Sequence, residues 1–232
     1  VVLDSNSGEI LAMANLPAYN PNNRGKLHPN RTRNRVVTDL FEPGSTLKPF
    51  TAAAALEAGL FKPETVIQTA PGQLTIGNRT IHDAHPQGAL TVTQVIQKSS
   101  NVGTAKMGLA LSSEVLWSMF TSAGFGAPPH SGFPGEVSGR LRAYKTWRPI
   151  EQATMSYGYG ISVSLLQLAR AYTMFASDGV LQSVTLLKRD GPAPGARVVS
   201  AQTALAVRKM LELAAQPGGT APGAQVSGYT VA

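Results

Sequence analysis

Apolar positions in Val1-Val2-Leu3 and Ile10-Leu11-Ala12-Met13, on either side of a polar stretch that contains Gly8, predict an opening hairpin over residues 1–14. Residues 15–44 are rich in proline and asparagine and carry no apolar period, so a loop is expected there. A helix follows over 45–59, built on the run Thr51-Ala52-Ala53-Ala54-Ala55-Leu56 of small and apolar helix formers. Short strands or loops are expected over 60–88. Helical spacing returns over 90–124 and is broken at Ser99-Ser100-Asn101, a polar cluster between two apolar-periodic segments that marks a turn between helices. Residues 125–148 are a Gly- and Pro-rich, insertion-like region. An amphipathic helix is expected over 162–177, a strand or loop over 180–189 and another helix over 201–215. Gly218-Gly219 opens the last loop, and the run 226–232 reads as a strand. Helix outweighs strand in this reading, and no internal repeat is visible.

The helix expected at 45 begins with candidate chemistry. Glu42-Pro43-Gly44-Ser45-Thr46-Leu47-Lys48-Pro49-Phe50 places a serine three positions before a lysine, and positions three apart share a helix face. A serine hydroxyl is a poor nucleophile until a neighbouring base takes its proton, and a lysine can do so only when its amine is uncharged. From a reference pKa of about 10.4, neutralising a lysine at pH 7 takes roughly 4–5 kcal/mol, so the amine has to be buried. The apolar helix behind Lys48 supplies the means. Pro43 and Gly44 suit a sharp entry that leaves first-turn N–H groups free, where negative charge such as an acyl oxyanion is favoured. Pro49 removes a donor one turn in, which predicts a tight, 3₁₀-like first turn with regular helix beyond it. Spacing alone is weak evidence: on the order of one Ser-x-x-Lys is expected by chance in a chain of this length. A solvated helix start is the commoner reading of such a pair.

Ser99-Ser100-Asn101 adds the complement. It is the one Ser-x-Asn of the sequence, as Ser45 to Lys48 is its one Ser-x-x-Lys. A second hydroxyl can relay a proton between Lys48 and a leaving group, and the Asn101 amide can hold both the lysine and a substrate amide. Ordinary helix capping explains Ser99 and Asn101 equally well when they are taken alone.

Composition narrows the classes. At 232 residues with 43% hydrophobic and 14% charged residues, the chain is globular and long enough for one good-sized core or two small subdomains. No apolar stretch approaches the roughly 18 residues a membrane span needs. The net charge of +7 is densest between Arg24 and Arg35, with Lys26, Arg31 and Arg33 among Pro and Asn. No aromatics interleave there and no nucleic-acid motif accompanies it, so a solvated loop, with contact to anionic lipid or glycan as the alternative, is expected rather than a nucleic-acid surface. His82 and His85 form a pair on a proline-containing loop, short of the three or four convergent ligands a metal requires, and that loop is expected to line the cleft. The absence of cysteine excludes disulfides and thiol chemistry.

The ordered pair Ser-x-x-Lys and Ser-x-Asn resembles the serine acyltransferases that include penicillin-binding proteins. Val1 to Ala14 is similar to the opening strand pair of their transpeptidase domain. Asn15-Leu16-Pro17-Ala18-Tyr19-Asn20-Pro21-Asn22-Asn23-Arg24 and Asn34-Arg35-Val36-Val37-Thr38-Asp39-Leu40-Phe41-Glu42-Pro43-Gly44-Ser45-Thr46 resemble the septal class B branch, of FtsI type. The resemblance implies an α+β fold, with an antiparallel sheet incomplete in this chain, covering helices and an all-helical lobe that carries Ser99 and Asn101. It implies one partial transpeptidase domain: 1–59 hairpin, loop and nucleophile helix, 60–160 helical lobe, 161–232 helices returning to the sheet. The family's Lys-Thr-Gly or Lys-Ser-Gly motif is not in the sequence, and 226–232 resembles the run that leads into it, so the chain reads as an excerpt that stops just before that motif. The implied activity is that of a D,D-transpeptidase cross-linking peptidoglycan stem peptides at the division septum, inactive as an excerpt. Ser45 is the implied nucleophile, Lys48 its base, Ser99 the relay and Asn101 the substrate-positioning amide, with Gly44 beside them. β-Lactams and division-complex membrane proteins are the implied partners, the periplasmic face of the inner membrane the implied location, by an anchor outside this chain, and no cofactor or metal is implied. A serine β-lactamase would need a water-activating glutamate, and no Glu-x-x-Leu-Asn segment is present. A β-lactam-sensing receptor domain would carry the same motifs and acylate without turnover. A division scaffold that has lost catalysis would not need Ser45, Lys48, Ser99 and Asn101 intact.

Overall fold

The structure, a computed structural model, describes residues 1–23, 25 and 27–232. The hairpin forms as β1 (Val2–Leu3) against β2 (Ile10–Ala12), antiparallel, with Leu3 opposite Ile10. Asp4 Oδ1 accepts from the Asn6 and Ser7 amides at 2.8 and 2.7 Å, so an Asx turn makes the connection. Within the expected 15–44 loop lie two single-turn helices, α1 (Pro29–Thr32) and α2 (Arg35–Thr38). Pro29 suits a first helical position, and Asn34 caps α2 by accepting from the Val36 amide, while Val36 and Val37 are buried. Single turns leave no apolar period to read.

The helix expected over 45–59 starts with a 3₁₀ turn, Gly44–Leu47, and continues as α3 (Lys48–Glu57) with Pro49 in its first turn. The tight entry anticipated from Pro49 is present. α3 is the core of the molecule: Phe50, Ala52, Ala53 and Ala55 are fully buried. Its alanines let α4 (Val92–Gln97), α5 (Asn101–Ala110), α6 (Ser113–Ser122) and α9 (Ala201–Ala214) pack close around it. The Phe50 ring anchors the other side, 5.2 Å from Phe125, 5.4 Å from Tyr172 and 5.0 Å from Phe175.

Between α3 and α4 run short strands, β3 (Val66–Gln68) paired with β6 (Ala89–Thr91) and β4 (Gln73–Ile76) with β5 (Arg79–His82), all antiparallel. The expected 90–124 helix is three helices. The break at Ser99-Ser100 is as anticipated; a second falls at Leu111-Ser112, where the Ser112 hydroxyl accepts from Val115 N and caps α6. Serine caps recur: Ser100 at α5, Ser164 at α8 (Leu165–Ala176) and Ser200 at α9 each accept from an amide three residues on. The amphipathic helix expected from 162 therefore starts at Leu165. Helix α7 (Pro149–Ser156) has no counterpart in the sequence pattern; it starts on a proline and runs eight residues, below the length at which periodicity reads clearly. Residues 125–148 are irregular apart from a 3₁₀ turn at Tyr144–Thr146.

β7 (Val180–Gln182) pairs with β8 (Gly195–Arg197). Among the described residues the strands form four separate two-stranded antiparallel sheets, so the mixed α+β composition stands while no larger sheet is formed. The run 226–232, expected as a strand, is irregular, and Tyr229 is 78% exposed. The run pairs with no strand among the described residues. No helix of the described residues is long and apolar enough to cross a membrane.

Candidate active site

The Ser45-to-Lys48 pair sits across the 3₁₀ entry to α3. Lys48 N–H donates to the Ser45 carbonyl, and in a 3₁₀ turn side chains three apart eclipse one another, so both project from one face. They differ in environment. Ser45 is exposed, whereas Lys48 is 2% exposed. The three-residue spacing predicts an amine hung over the Ser45 hydroxyl; in the structure Lys48 Nζ donates instead to the Ser99 carbonyl at 2.6 Å and Ser99 Oγ at 2.8 Å. Ser45 Oγ has no hydrogen-bond partner among the described residues and stays open to a ligand. Burial lowers the Lys48 pKa to about 8, the Asp83 charge opposing part of that fall. The neutral amine is therefore about a tenth of the population at pH 7 and about half at pH 8.

Ser99 owes its position to the end of α4. Its N–H bonds the Ile96 carbonyl and the Ser100 N–H bonds the Val95 carbonyl, the two reverse bonds of a Schellman motif. The motif needs a left-handed residue, usually glycine. Here it is Ser99, with φ +56°, a conformation costing an L-residue roughly 1–2 kcal/mol. The same backbone that reverses the chain so turns the Ser99 carbonyl and hydroxyl onto the Lys48 amine. Ser99 Oγ accepts from the lysine and keeps its own proton for a third group.

Asn101 opens α5. The sequence pattern assigns it to holding the lysine; in the structure its Nδ2 donates to the His82 carbonyl at 2.9 Å, and the side-chain oxygen remains unbonded among the described residues. The loop with His82 and His85 does reach the turn, but the residue that fastens it is Asp83, which sequence reasoning missed. Its carboxylate, 9% exposed, accepts from Ser100 Oγ at 3.0 and 2.9 Å and from the Val102 amide at 2.9 Å. An acidic residue between two histidines carries no signal of that role; it is read only from the contact with a turn 17 residues on. Asp83→Asn is expected to cost about 1–3 kcal/mol of stability in thermal unfolding, as an anionic acceptor of buried donors is lost. The same substitution removes the charge that raises the Lys48 pKa, so the alkaline rise of any Lys48-dependent rate is expected to move below its wild-type midpoint.

A second clamp holds Gly44. Tyr157-Gly158-Tyr159-Gly160 follows α7, and the Gly44 amide donates to the Gly158 carbonyl at 3.1 Å. Gly158, at φ +93°, approaches so closely that a Cβ would lie 2.0 Å from the Gly44 carbonyl oxygen. The Gly160 amide donates to Glu42 Oε1 at 2.8 Å, and Thr51 Oγ1 donates to the Ser156 carbonyl at 2.7 Å. Gly158→Ala is expected to destabilise the protein by at least about 2–4 kcal/mol, since strain and collision with backbone add, with the loss read as a fall in unfolding midpoint.

An open alcohol one 3₁₀ turn from a buried amine, with a second hydroxyl on that amine, at the entry to a central helix that other helices surround, is an arrangement suited to acyl transfer through serine. The chain belongs to the penicillin-binding protein transpeptidase domain family, which matches residues 1–232. It is similar to the probable peptidoglycan D,D-transpeptidase PenA of Neisseria flavescens, 46% identical over 231 residues, covering 100% of this chain and 57% of that protein. It is also similar to the peptidoglycan D,D-transpeptidase FtsI of Escherichia coli K12, 42% identical over 232 residues, covering 100% of this chain and 39% of that one. Among solved structures, the apo transpeptidase domain of Burkholderia pseudomallei penicillin-binding protein 3 superimposes with a TM-score of 0.89 at 47% identity, covering 98% of this chain and 65% of that chain.

Proposed function

We propose that the protein carrying this chain is a peptidoglycan D,D-transpeptidase, with Ser45 as nucleophile. Ser45 Oγ attacks the carbonyl carbon between the two terminal D-alanines of a stem peptide, and its proton passes to the neutral Lys48 amine. The C–N bond then breaks, the proton returns through Ser99 Oγ to the leaving nitrogen, and D-alanine departs. An acyl ester on Ser45 remains. The amine of a second stem peptide attacks it, forming the cross-link and restoring the hydroxyl. The Ser45 N–H contributes to holding the oxyanion, while the open Asn101 oxygen and Gly44 flank the substrate amide. The observation that carries this reading is the buried Lys48 amine, pKa about 8, bonded to Ser99 one 3₁₀ turn from an open serine.

By the same reading β-lactams acylate Ser45, and the setting is the division septum at the periplasmic face of the inner membrane, among division-complex membrane proteins. The three-part division at 59 and 160 is part of the proposal. Similarity to FtsI and PenA supports it, over the 39–57% of those proteins that this chain spans. Treatment of the full-length protein with penicillin, digestion and mass spectrometry tests it. One adduct on the Ser45 peptide is expected; an adduct elsewhere, or none, refutes the assignment.

A further inference from the structure

Beside the Gly44 clamp lies a cleft of about 400 Å³ that the mechanism does not use. Its floor is Gly160-Ile161-Ser162, part of an extended segment that bridges through Val163 to Phe41 on one side and through Ser162 to Arg140 on the other. Arg140 and Ser162 exchange backbone hydrogen bonds at 2.8 and 3.0 Å, which fixes the register of the Arg140-Leu141-Arg142 segment. In extended chain, alternate residues point the same way: Leu141 packs against the core while Arg140 and Arg142 line the cleft. The charges in it are committed unequally. Arg142 is paired with Glu151 at 2.9 Å, and Glu42 is bonded to the Gly160 amide. Among the described residues the Arg140 guanidinium and the Ser162 hydroxyl have no side-chain partner. Glu42, three positions before Ser45, connects this cleft to the nucleophile turn.

An unpaired guanidinium with a free hydroxyl across one backbone rung is a donor set for a carboxylate, which a guanidinium binds through two parallel N–H groups. We propose that this cleft is a subsite for a carboxylate borne by the peptide substrate away from the bond that is cut, with Arg140 as its principal donor and Ser162 as the second. The inference rests on the proposed function. Either the donor or the acceptor peptide is the source of that group, and the experiment separates the two.

Acyl transfer is measured in the full-length protein between two synthetic peptides, with the remote carboxylate converted to an amide on the donor in one arm and on the acceptor in the other. In one arm the amide is expected to raise KM about tenfold relative to the acid, and Arg140→Gln is expected to bring acid and amide within about twofold. Arg140→Lys is expected to keep an intermediate ratio, since a point charge replaces the fork. Because each ratio is taken within one variant, any general loss of folding or acylation cancels. No acid preference in either arm, or a full preference retained in Arg140→Gln, overturns the subsite. Failure of penicillin to acylate Ser45 in the wild type would instead overturn the reading of the enzyme.

Discussion

Ser45→Ala is expected to abolish covalent labelling by a fluorescent penicillin while leaving the unfolding midpoint within about 2 °C of wild type. Both halves follow from the same observation. Ser45 is exposed and its hydroxyl bonds nothing among the described residues, so its removal opens no cavity and strands no partner. The substituted side chain is a helix former at a turn fixed by backbone bonds, namely Lys48 N–H to the residue-45 carbonyl and Gly44 N–H to Gly158. The labelling, in contrast, requires an oxygen that can become an ester. Residual labelling at stoichiometric level, read by gel fluorescence beside thermal unfolding, would remove Ser45 from its role. Loss of labelling with a collapsed midpoint would show that the turn, and not the nucleophile, had been damaged.

Lys48→Met is expected to slow acylation by about 10²- to 10⁴-fold, the range that a positioned base supplies. Methionine fills a similar buried volume, so the fall reports the lost amine more than a void. On the proposed reading the wild-type base is the neutral amine. With its pKa lowered by burial to about 8, the active fraction is small at pH 6, and the acylation rate is expected to rise roughly fivefold from pH 7 to pH 8 and flatten above 9. The sign is that of a desolvated base: protonation at low pH switches it off. Stability follows the same direction, because the unfolded chain holds the lysine proton up to about pH 10.4 and the folded chain releases it near 8, so the folded state gains as pH rises between those values. Stopped-flow acylation of wild type and variant from pH 6 to about 9 checks the rate, and thermal unfolding between about pH 8 and 10.4 checks the stability; a wild-type acylation rate that stays flat between pH 6 and 8 would exclude Lys48 as the base.

What is legible in the sequence is local. Ser45 and Lys48 are three residues apart, and Pro49 announces the tight turn that aligns them. The Ser99-Ser100-Asn101 break is visible because apolar periods stop and restart around it, and α3, α8 and α9 because their apolar faces are long. The contacts that complete the site join distant positions. Lys48 meets Ser99 across 51 residues, and Asp83 meets Ser100 across 17. Gly158 reaches Gly44 through a close backbone approach that only the folded chain reveals, as no side chain is there to signal it. The single-turn helices α1 and α2 escape for lack of period, and α7 for lack of length. The run 226–232 misleads in the opposite sense, since a strand needs a neighbour to pair with.

On the proposed reading, the positive φ at residue 99 makes heat tolerance and chemistry compete for one position. Glycine there would relax the backbone and reinforce the reversal after α4, yet it would delete the alcohol that shares the lysine proton. If Ser99 relays the proton as proposed, selection for thermal robustness alone would drift toward the silent residue, and an engineer ranking variants by melting temperature would favour the one that lacks the relay.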